Sequence, residues 1–266
     1  MANKAEKLRL DALVAERGLA ESRELARRLI MEGNVSVAGQ VIDKPGARVR
    51  VDAEVVVRAL PRFVSRGGEK LDAALTAFNL SVEGLLCADV GASTGGFTDC
   101  LLQRGAAQVY AIDVGYGQLD YRLRRDQRVV VMERTNARFI EALPERPALV
   151  AIDASFISLR LLLPVVKGWL TDDGQVVALI KPQFEAGRAK VGRGGVVKDH
   201  MVHADVLRDV LTAAQNDGFL VSGLIRSPLK GPAGNIEFLA LLTLDSTNPV
   251  LNMEVAITAT IGLSMG

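Results

Sequence analysis

The chain has 266 residues, of which 49% are hydrophobic and 24% are charged, a composition typical of a globular protein with a substantial core. Its net charge of +1 excludes a global electrostatic attraction to nucleic acid, so any such affinity must come from a local patch. No apolar run reaches the roughly 20 residues that a membrane span requires, and the first residues lack the apolar segment of a signal peptide. We therefore expect a cytoplasmic protein with no membrane partner.

Residue types that bind transition metals are scarce in this chain. It contains two cysteines, Cys87 and Cys100, and two histidines, His200 and His203. Their spacing fits neither a metal site nor a disulfide framework, so we expect no metal.

Residues 1–60 are predicted to form a small α+β domain. The stretch "LRLDALVAERG" predicts a helix that ends at Gly18, and "SRELARRLIMEG" predicts a second helix with Ser22 as N-cap and Gly33 as its end. The following residues alternate between apolar and polar around tight-turn glycines, which predicts short strands. The stretch 55–63, which contains Pro61, is predicted to be the joint to a second domain over residues 62–266.

Three arginines of the second predicted helix, Arg23, Arg27 and Arg28, fall on one helix face. A cluster of this kind is more often a solvated surface than a binding site, so the charges alone do not indicate that this helix binds RNA.

From about residue 62 onward, apolar strand candidates alternate with helical stretches such as 159–170 and 202–217. This alternation predicts a parallel sheet with helices on both faces, whose functional edge is the carboxyl end of the strands. The predicted strands are Leu85–Val90, Val109–Val114, Val129–Met132, Leu149–Asp153, Val176–Ile180, Val221–Ile225 and Phe238–Leu244.

The first of these strands runs into a glycine-rich turn, "DVGASTGGFTDCLL". Glycines allow close approach of the backbone to a ligand, and a helix N-terminus offers free N–H groups, but many tight turns contain glycines. The next strand ends at Asp113, where an acidic residue can accept hydrogen bonds from both hydroxyls of a nucleoside ribose. Because the turn departs from the dinucleotide fingerprint G-x-G-x-x-G, the pattern favours an adenosine ligand without a pyrophosphate, such as S-adenosylmethionine.

Four charged residues of alternating sign are predicted to converge on the same edge of the sheet: Lys70, Asp153, Lys181 and Glu237. Each is individually explicable as a surface charge, and Lys181 could simply extend from its strand end into water. Their convergence is harder to explain in that way.

The stretches "VSRGGEKL", "ADVGASTGGFTDCLL", "DASFISL", "IKPQFEAGR" and "GNIEF" resemble the TlyA family of ribosomal RNA ribose methyltransferases, which are related to FtsJ. The resemblance implies an α/β fold with a Rossmann-like class I methyltransferase sheet. It also implies methyl transfer from S-adenosylmethionine to a ribose 2′-hydroxyl, by family expectation that of a cytidine, in ribosomal RNA or ribosomal subunits. Thr94 stands where the wider FtsJ group usually has proline, which agrees with the TlyA branch.

The same resemblance implies roles for particular residues. The catalytic tetrad would be Lys70, Asp153, Lys181 and Glu237. The residues "SRELARRLIMEGNVSVAGQVIDKP" are similar to the RNA-binding module named after ribosomal protein S-four, which would place Arg23, Arg27 and Arg28 on RNA. Arg66, in the stretch "VSRGGEKL", is also expected to contact RNA. The implied cofactor-binding residues are Asp89, Gly91, Ala92, Ser93, Thr94, Gly95, Gly96, Phe97, Asp113, Val114, Asn136 and Asp153.

The chemistry expected of Lys181 has two forms. A lysine can accept the proton of a ribose hydroxyl only as a neutral amine, which burial and the nearby Lys70 would favour and the two carboxylates would oppose. Alternatively, Lys181 contributes chiefly by positioning the hydroxyl opposite the methyl group.

Three other functions are kept as alternatives. Asp113 could hold the ribose of NAD in an oxidoreductase, although the third glycine of that fingerprint is missing. Proteins similar to TlyA have been labelled haemolysins, which would mean action on membranes, although no spanning segment is predicted. A catalytically silent assembly factor that binds ribosomal RNA is the third, and the intact tetrad argues against it. The apolar C-terminal stretch matches no motif.

Overall fold

The computed structural model describes residues 6–31, 33–58 and 62–262. The chain divides into two compact units, Met1–Pro61 and Arg62–Gly266. Each unit has a hydrophobic core of its own.

The described residues of unit 1 form two helices and five short strands. Strands β1 and β4 pair antiparallel, and β3, β2 and β5 form a second antiparallel sheet in that order. The elements are β1 (Lys7–Arg9), α1 (Leu10–Glu16), α2 (Arg23–Met31), β2 (Val35–Val37), β3 (Gln40–Val41), β4 (Arg48–Arg50) and β5 (Val55–Val57).

Both helices predicted for this unit are confirmed. The Ser22 hydroxyl accepts a hydrogen bond from the backbone N–H of Leu25 at 3.1 Å, which satisfies a free donor at the start of α2. The apolar face of α2, with Leu29 and Ile30, is buried in the core of unit 1. Its arginines therefore remain on the outer face.

The predicted joint over residues 55–63 differs from what the structure shows at both ends. Val55–Val57 form β5, paired with β2, because three consecutive β-branched residues favour an extended strand. Phe63 is buried in the core of unit 2. Pro61, which the sequence placed in the joint, lies outside the described residues.

Unit 2 is a seven-stranded sheet with helices on both faces. Its elements are α3 (Gly67–Ala77), β6 (Leu86–Val90), α4 (Gly96–Gln103), β7 (Gln108–Ile112), α5 (Tyr121–Arg124), β8 (Val129–Met132), β9 (Leu149–Ile152), α6 (Leu159–Lys167), β10 (Gln175–Ile180), α7 (Pro182–Glu185), α8 (His200–Asn216), β11 (Leu220–Arg226), β12 (Phe238–Thr243) and α9 (Met253–Ile261).

The strand order is β11-β12-β10-β9-β6-β7-β8, and all seven predicted strands are present. The expectation of a parallel sheet is correct for β10, β9, β6, β7 and β8. It is wrong for β12, which runs antiparallel to β10 and to β11. The connection from β11 to β12, residues 227–237, contains no crossover helix, and a parallel pairing would need one.

Apolar layers cover both faces of the sheet. One contains Trp169 and Phe219 beneath α6 and α8, and the other contains Leu71 and Leu101 from α3 and α4. The described part of the apolar C-terminal stretch contributes to the first layer through α9, which buries Ile257. Strands buried on both sides leave only their ends for polar chemistry.

The register brings the predicted charged residues to one edge. Gly91, Asp113 and Asp153 each follow strand residues that pair across β7, β6 and β9, so the three lie at the same level. Lys181 follows β10 directly. Because β12 runs the opposite way and its first residue pairs with the last residue of β10, Glu237 lies at this edge as well.

Candidate active site

Two adjoining cavities open at this edge of the sheet, each with a volume of about 710 Å³. We call the first the tetrad cavity, since Lys70, Asp153, Lys181 and Glu237 line it. We call the second the Asp113 cavity. Five residues line both: Gly91, Ser93, Asp153, Ser155 and Phe156.

The four predicted catalytic residues form two ion pairs. Lys70 Nζ lies 2.5 Å from Glu237 Oε2, and Lys181 Nζ lies 2.6 Å from Asp153 Oδ1. Lys70 and Lys181 are only 7% and 8% exposed, and Glu237 is 1% exposed. The interpretation of Lys181 as a lysine extending into water is therefore wrong.

Lys181 is held by further oxygen atoms. Its Nζ donates to Ser155 Oγ at 2.9 Å and to the carbonyl oxygen of Asp153 at 3.3 Å. With the ion pair to the Asp153 carboxylate, three oxygens surround an ammonium group that has three donors. The position of this nitrogen is consequently well defined.

Asp153 depends on its neighbours to stay ionised. Although 23% of its side-chain surface is exposed, the dense surroundings raise the pKa of Asp153 above its ordinary value, against the opposing effects of the Lys181 and Lys70 cations. Removing Lys181 would therefore favour protonation of this carboxyl group.

The glycine-rich turn is shaped by positive φ angles. Gly91 has φ +87° and Gly95 has φ +95°. A Cβ on Gly91 would lie 2.7 Å from the carbonyl oxygen of Asp153, so glycine is required for the strand ends to approach. Asp89 stands behind the turn and accepts hydrogen bonds from Thr98 N at 2.8 Å and Thr98 Oγ1 at 2.6 Å. Complete burial raises the pKa of Asp89 to about 7.

Asp113 joins the turn to the next strand end. Its Oδ2 accepts from the backbone N–H of Ser93 at 2.8 Å, and its Oδ1 accepts from that of Gly115 at 2.6 Å. Each oxygen keeps a further lone pair, so the carboxylate can also accept hydrogen bonds from a ligand in the cavity.

The predicted cofactor residues divide between the two cavities. Asp113, Val114 and Asn136 line the Asp113 cavity only. Asp89 and Gly95 line neither, and both are buried in positions that shape the turn. The remaining members of the predicted turn, Ala92, Thr94, Gly96 and Phe97, line the tetrad cavity only.

The predicted RNA-contacting residues are found in both units. Arg66 lines the tetrad cavity, where its guanidinium donates to the carbonyl oxygen of Lys230 at 2.8 Å. Arg23, Arg27 and Arg28 line a broad depression of about 1010 Å³ on α2.

These three arginines are not equivalent. The Arg23 guanidinium lies 3.3 Å from Oδ1 of the buried Asp11. Arg27 and Arg28 are exposed, and neither forms an ion pair with another residue in the parts of the chain that the structure describes.

Sequence reasoning left several residues of the tetrad cavity unassigned, among them Ser155, Gln183 and Phe156. Ser155 binds Lys181, and Gln183 Nε2 lies 3.3 Å from Glu237 Oε1. Phe156 is 90% exposed, and its ring centroid is 4.9 Å from that of Phe184. All lie within the stretches "DASFISL" and "IKPQFEAGR", whose resemblance to the family was the available signal.

The described ranges contain neither a metal-binding group nor a membrane-spanning helix. No group of three or more His, Cys, Asp or Glu side chains there could hold a metal ion. None of the helices there is long and apolar enough to cross a membrane.

Each of the two units matches a known protein family. Residues 63–244 match the model of the FtsJ-like methyltransferase family, and residues 8–55 match the S4 domain. The chain is 51% identical to a Bacillus subtilis protein, "Putative rRNA methyltransferase YqxC", over 88% of this chain and 85% of that one. It is 48% identical to the Mycobacterium tuberculosis "16S/23S rRNA (cytidine-2'-O)-methyltransferase TlyA", over 88% and 89%.

A solved structure is similar over almost the whole chain. This structure, "Putative hemolysin from Streptococcus thermophilus", matches with a TM-score of 0.73 and 46% identity, over 96% of this chain and 94% of that one. Fold and site together thus define an FtsJ-like methyltransferase that carries an S4 domain. Within that class, the chain belongs to the TlyA family.

The requirement for glycine at position 91 can be tested by comparing alanine substitutions at Gly91 and Gly84. Alanine at either position incurs the strain of an L residue at positive φ, roughly 1–2 kcal/mol. Only Gly91→Ala adds overlap with backbone atoms, because nothing lies within 4 Å of the Cβ position at Gly84. We expect calorimetric scans to show a decrease in Tm for Gly91→Ala at least about twice that for Gly84→Ala. Equal decreases would contradict the tight strand-end contact.

Proposed function

We propose that this protein transfers a methyl group from S-adenosylmethionine to a ribose 2′-hydroxyl, that of a cytidine, in ribosomal RNA. The observation that carries the proposal is the pair of buried lysine–carboxylate ion pairs in a cavity that shares a wall with the Asp113 cavity. The name of the Mycobacterium tuberculosis relative supports the substrate. A ribosomal substrate places the reaction in the cytoplasm.

The Asp113 cavity fits the nucleoside part of the methyl donor. Its volume of about 710 Å³ is within the range of small-molecule sites. The Asp113 carboxylate would accept hydrogen bonds from the ribose hydroxyls, and Val114 and Asn136 would flank the nucleoside. When bound, S-adenosylmethionine supplies a methyl group on a positively charged sulfur.

The shared wall supports transfer between the two cavities. Gly91, Asp153, Ser155 and Phe156 border both spaces, so a group held beside this wall in one cavity can meet a reactant in the other. The absence of a side chain at Gly91 allows the backbone of the turn to lie against the carbonyl group of Asp153 at this wall.

Lys181 would act on the hydroxyl that receives the methyl group. The transfer would join the ribose oxygen to the methyl carbon while the carbon–sulfur bond breaks and its electron pair stays on sulfur, and the hydroxyl proton would pass to water or to Lys181 in its neutral amine form. The three oxygens around Lys181 Nζ hold this group in a defined position, which supports orientation of the hydroxyl as its main contribution. Lys70 and Glu237 complete a compact polar wall around that position.

The alternatives have less support. The family match covers the catalytic unit and favours a methyltransferase over an NAD-dependent oxidoreductase. The similar Streptococcus thermophilus structure carries the name of a haemolysin, but no helix in the described part of the chain could span a membrane. The complete tetrad argues against a silent assembly factor.

The direct test uses purified protein, tritiated-methyl S-adenosylmethionine and separated ribosomal subunits, followed by mapping of the modified nucleotide. We expect label on a cytidine ribose. Lys181→Ala should lower the single-turnover rate at saturating substrates at least about 100-fold, the scale of positioned acid–base groups. Lys181→Arg should fail nearly as badly, because a planar guanidinium cannot take the place of the ammonium among its three oxygens.

The matched control is Lys167→Arg, since Lys167 Nζ donates to the carbonyl oxygen of Asp217, away from both cavities. It should keep the wild-type rate. A lysine that only attracted RNA phosphates would tolerate arginine, so a near-wild-type rate for Lys181→Arg would remove Lys181 from the reaction.

The cofactor assignment predicts weaker binding in Asp113→Ala. Loss of a charged acceptor should cost roughly 1.5–3 kcal/mol, or about 10- to 150-fold in affinity for S-adenosylhomocysteine measured by calorimetry. Asp172→Ala is the control, because this carboxylate is 94% exposed and lines neither cavity. Unchanged affinity in folded Asp113→Ala, or tight binding of NADH by the wild type, would refute the assignment.

The S4 domain is proposed to bind RNA phosphates through the exposed face of α2. Arg27→Glu and Arg28→Glu should each weaken RNA binding and make its dependence on salt shallower, by about 0.7–0.9 in the logarithmic slope for each phosphate that is no longer neutralised. Arg146→Glu makes the same change of charge in unit 2, where Arg146 pairs with Asp172, and serves as control. Equal salt slopes for all variants would place the RNA-binding surface elsewhere.

A further inference from the structure

The wall between the two cavities is formed largely by residues 153–158, which connect β9 to α6. We call this segment the junction loop. All six residues line the Asp113 cavity, and three of them, Asp153, Ser155 and Phe156, also line the tetrad cavity. Its geometry therefore determines how the two spaces meet.

The junction loop contains an unfavourable backbone conformation. Phe156 has φ +63°, a left-handed value that is rare for residues other than glycine. Such a residue costs of order 1–3 kcal/mol and persists only where the surroundings hold it in place. Its own side chain contributes little burial, since Phe156 is 90% exposed. Besides the ring contact of Phe156 with Phe184, the loop is held by contacts at its two ends.

One end is held by Lys181. The Lys181 ammonium pairs with the Asp153 carboxylate and donates to Ser155 Oγ. Lys181 immediately precedes α7, a helix of only four residues.

The other end is held by the last residue of α7, Glu185. Its side chain is 3% exposed. Its Oε2 accepts from the hydroxyl of Ser158 at 2.6 Å, and its Oε1 accepts from the backbone N–H of Leu159 at 2.8 Å. Leu159 is the first residue of α6, so this N–H has no partner within its own helix and favours a negative charge.

The segment from Lys181 to Glu185 thus spans the junction loop from one end to the other. Lys181 contacts its beginning, and Glu185 contacts its last residue and the one that follows. Glu185 lines neither cavity, so it does not itself meet a reactant.

We propose that Glu185 is a positioning residue for methyl transfer, which sets the geometry of the junction loop and, through it, of Asp153 and Lys181. This inference rests on the proposed function. It assigns Glu185 a role in the alignment of the two cavities in addition to any contribution to stability.

The test compares Glu185→Gln with Ser158→Ala and with their combination. Glutamine has the same shape, but it has one acceptor oxygen and presents an N–H group to the second donor. We expect Glu185→Gln to lower the single-turnover rate at saturating RNA and cofactor at least about tenfold, because small misplacements at a reacting centre are costly. RNA affinity should be unchanged. The rate losses of the two single variants should not multiply in the double variant, because the two residues share one hydrogen bond, although Ser158 also caps α6 through the backbone N–H of Arg160.

A readout without RNA separates this inference from the proposed function. In Glu185→Gln, hydrogen exchange of residues 153–158 should be faster than in the wild type. Asn252→Ala removes another helix cap, the one that accepts from Val255 N at 3.2 Å, and should lower stability without changing the rate or this exchange.

Two results would overturn the inference: a Glu185→Gln rate within about twofold of wild type, or unchanged exchange in the junction loop. If Glu185→Gln does not fold, Ser158→Ala alone decides, with a smaller loss of rate and the same local increase in exchange expected. An inactive wild type whose loop exchange still responds to Glu185→Gln would refute the proposed function and keep the structural role.

Discussion

Four charged groups line one cavity, and the arrangement depends on the pairing of each with an opposite charge. Burial of an ion costs several kcal/mol even after relaxation, and removal of one member of a buried pair typically costs about 3–5 kcal/mol. The 2.5 Å and 2.6 Å pairs in the tetrad cavity offset that cost. Burial raises the pKa of Asp153 above its ordinary value, and the nearby Lys181 and Lys70 cations oppose that rise.

The direction of one strand makes this pairing possible. Glu237 precedes β12, and in an all-parallel sheet the start of a strand lies at the opposite edge from the other functional residues. Because β12 is antiparallel to β10, its start lies beside the end of β10 and Glu237 reaches Lys70. The hairpin-like return from β11 is thus part of the active-site architecture.

Much of this arrangement could be predicted from the chain itself. Apolar runs and glycine positions are local signals, and they located every strand of the large sheet and the turn at Gly91. The partner of each lysine could not be predicted, since Lys70 and Glu237 are 167 residues apart and only the strand order brings them together. The left-handed Phe156 was equally unpredictable, because the contacts that hold it come from Glu185 and Lys181. The pairing of Arg23 with Asp11 depends on the packing of α1 against α2.

The composition of the tetrad has a consequence for how ionic strength should act on this protein. Two lysines and two carboxylates in their ionised forms add up to no net charge. A neutral hydroxyl can approach the tetrad without a change in its overall charge, whereas a phosphate group is attracted by Arg66 and Lys230, which line the same cavity outside the tetrad. Dissolved ions should therefore leave the rate of the bound complex nearly constant while they loosen its assembly. A rise in ionic strength would then weaken the binding of RNA but leave the rate of methyl transfer within the bound complex nearly unchanged.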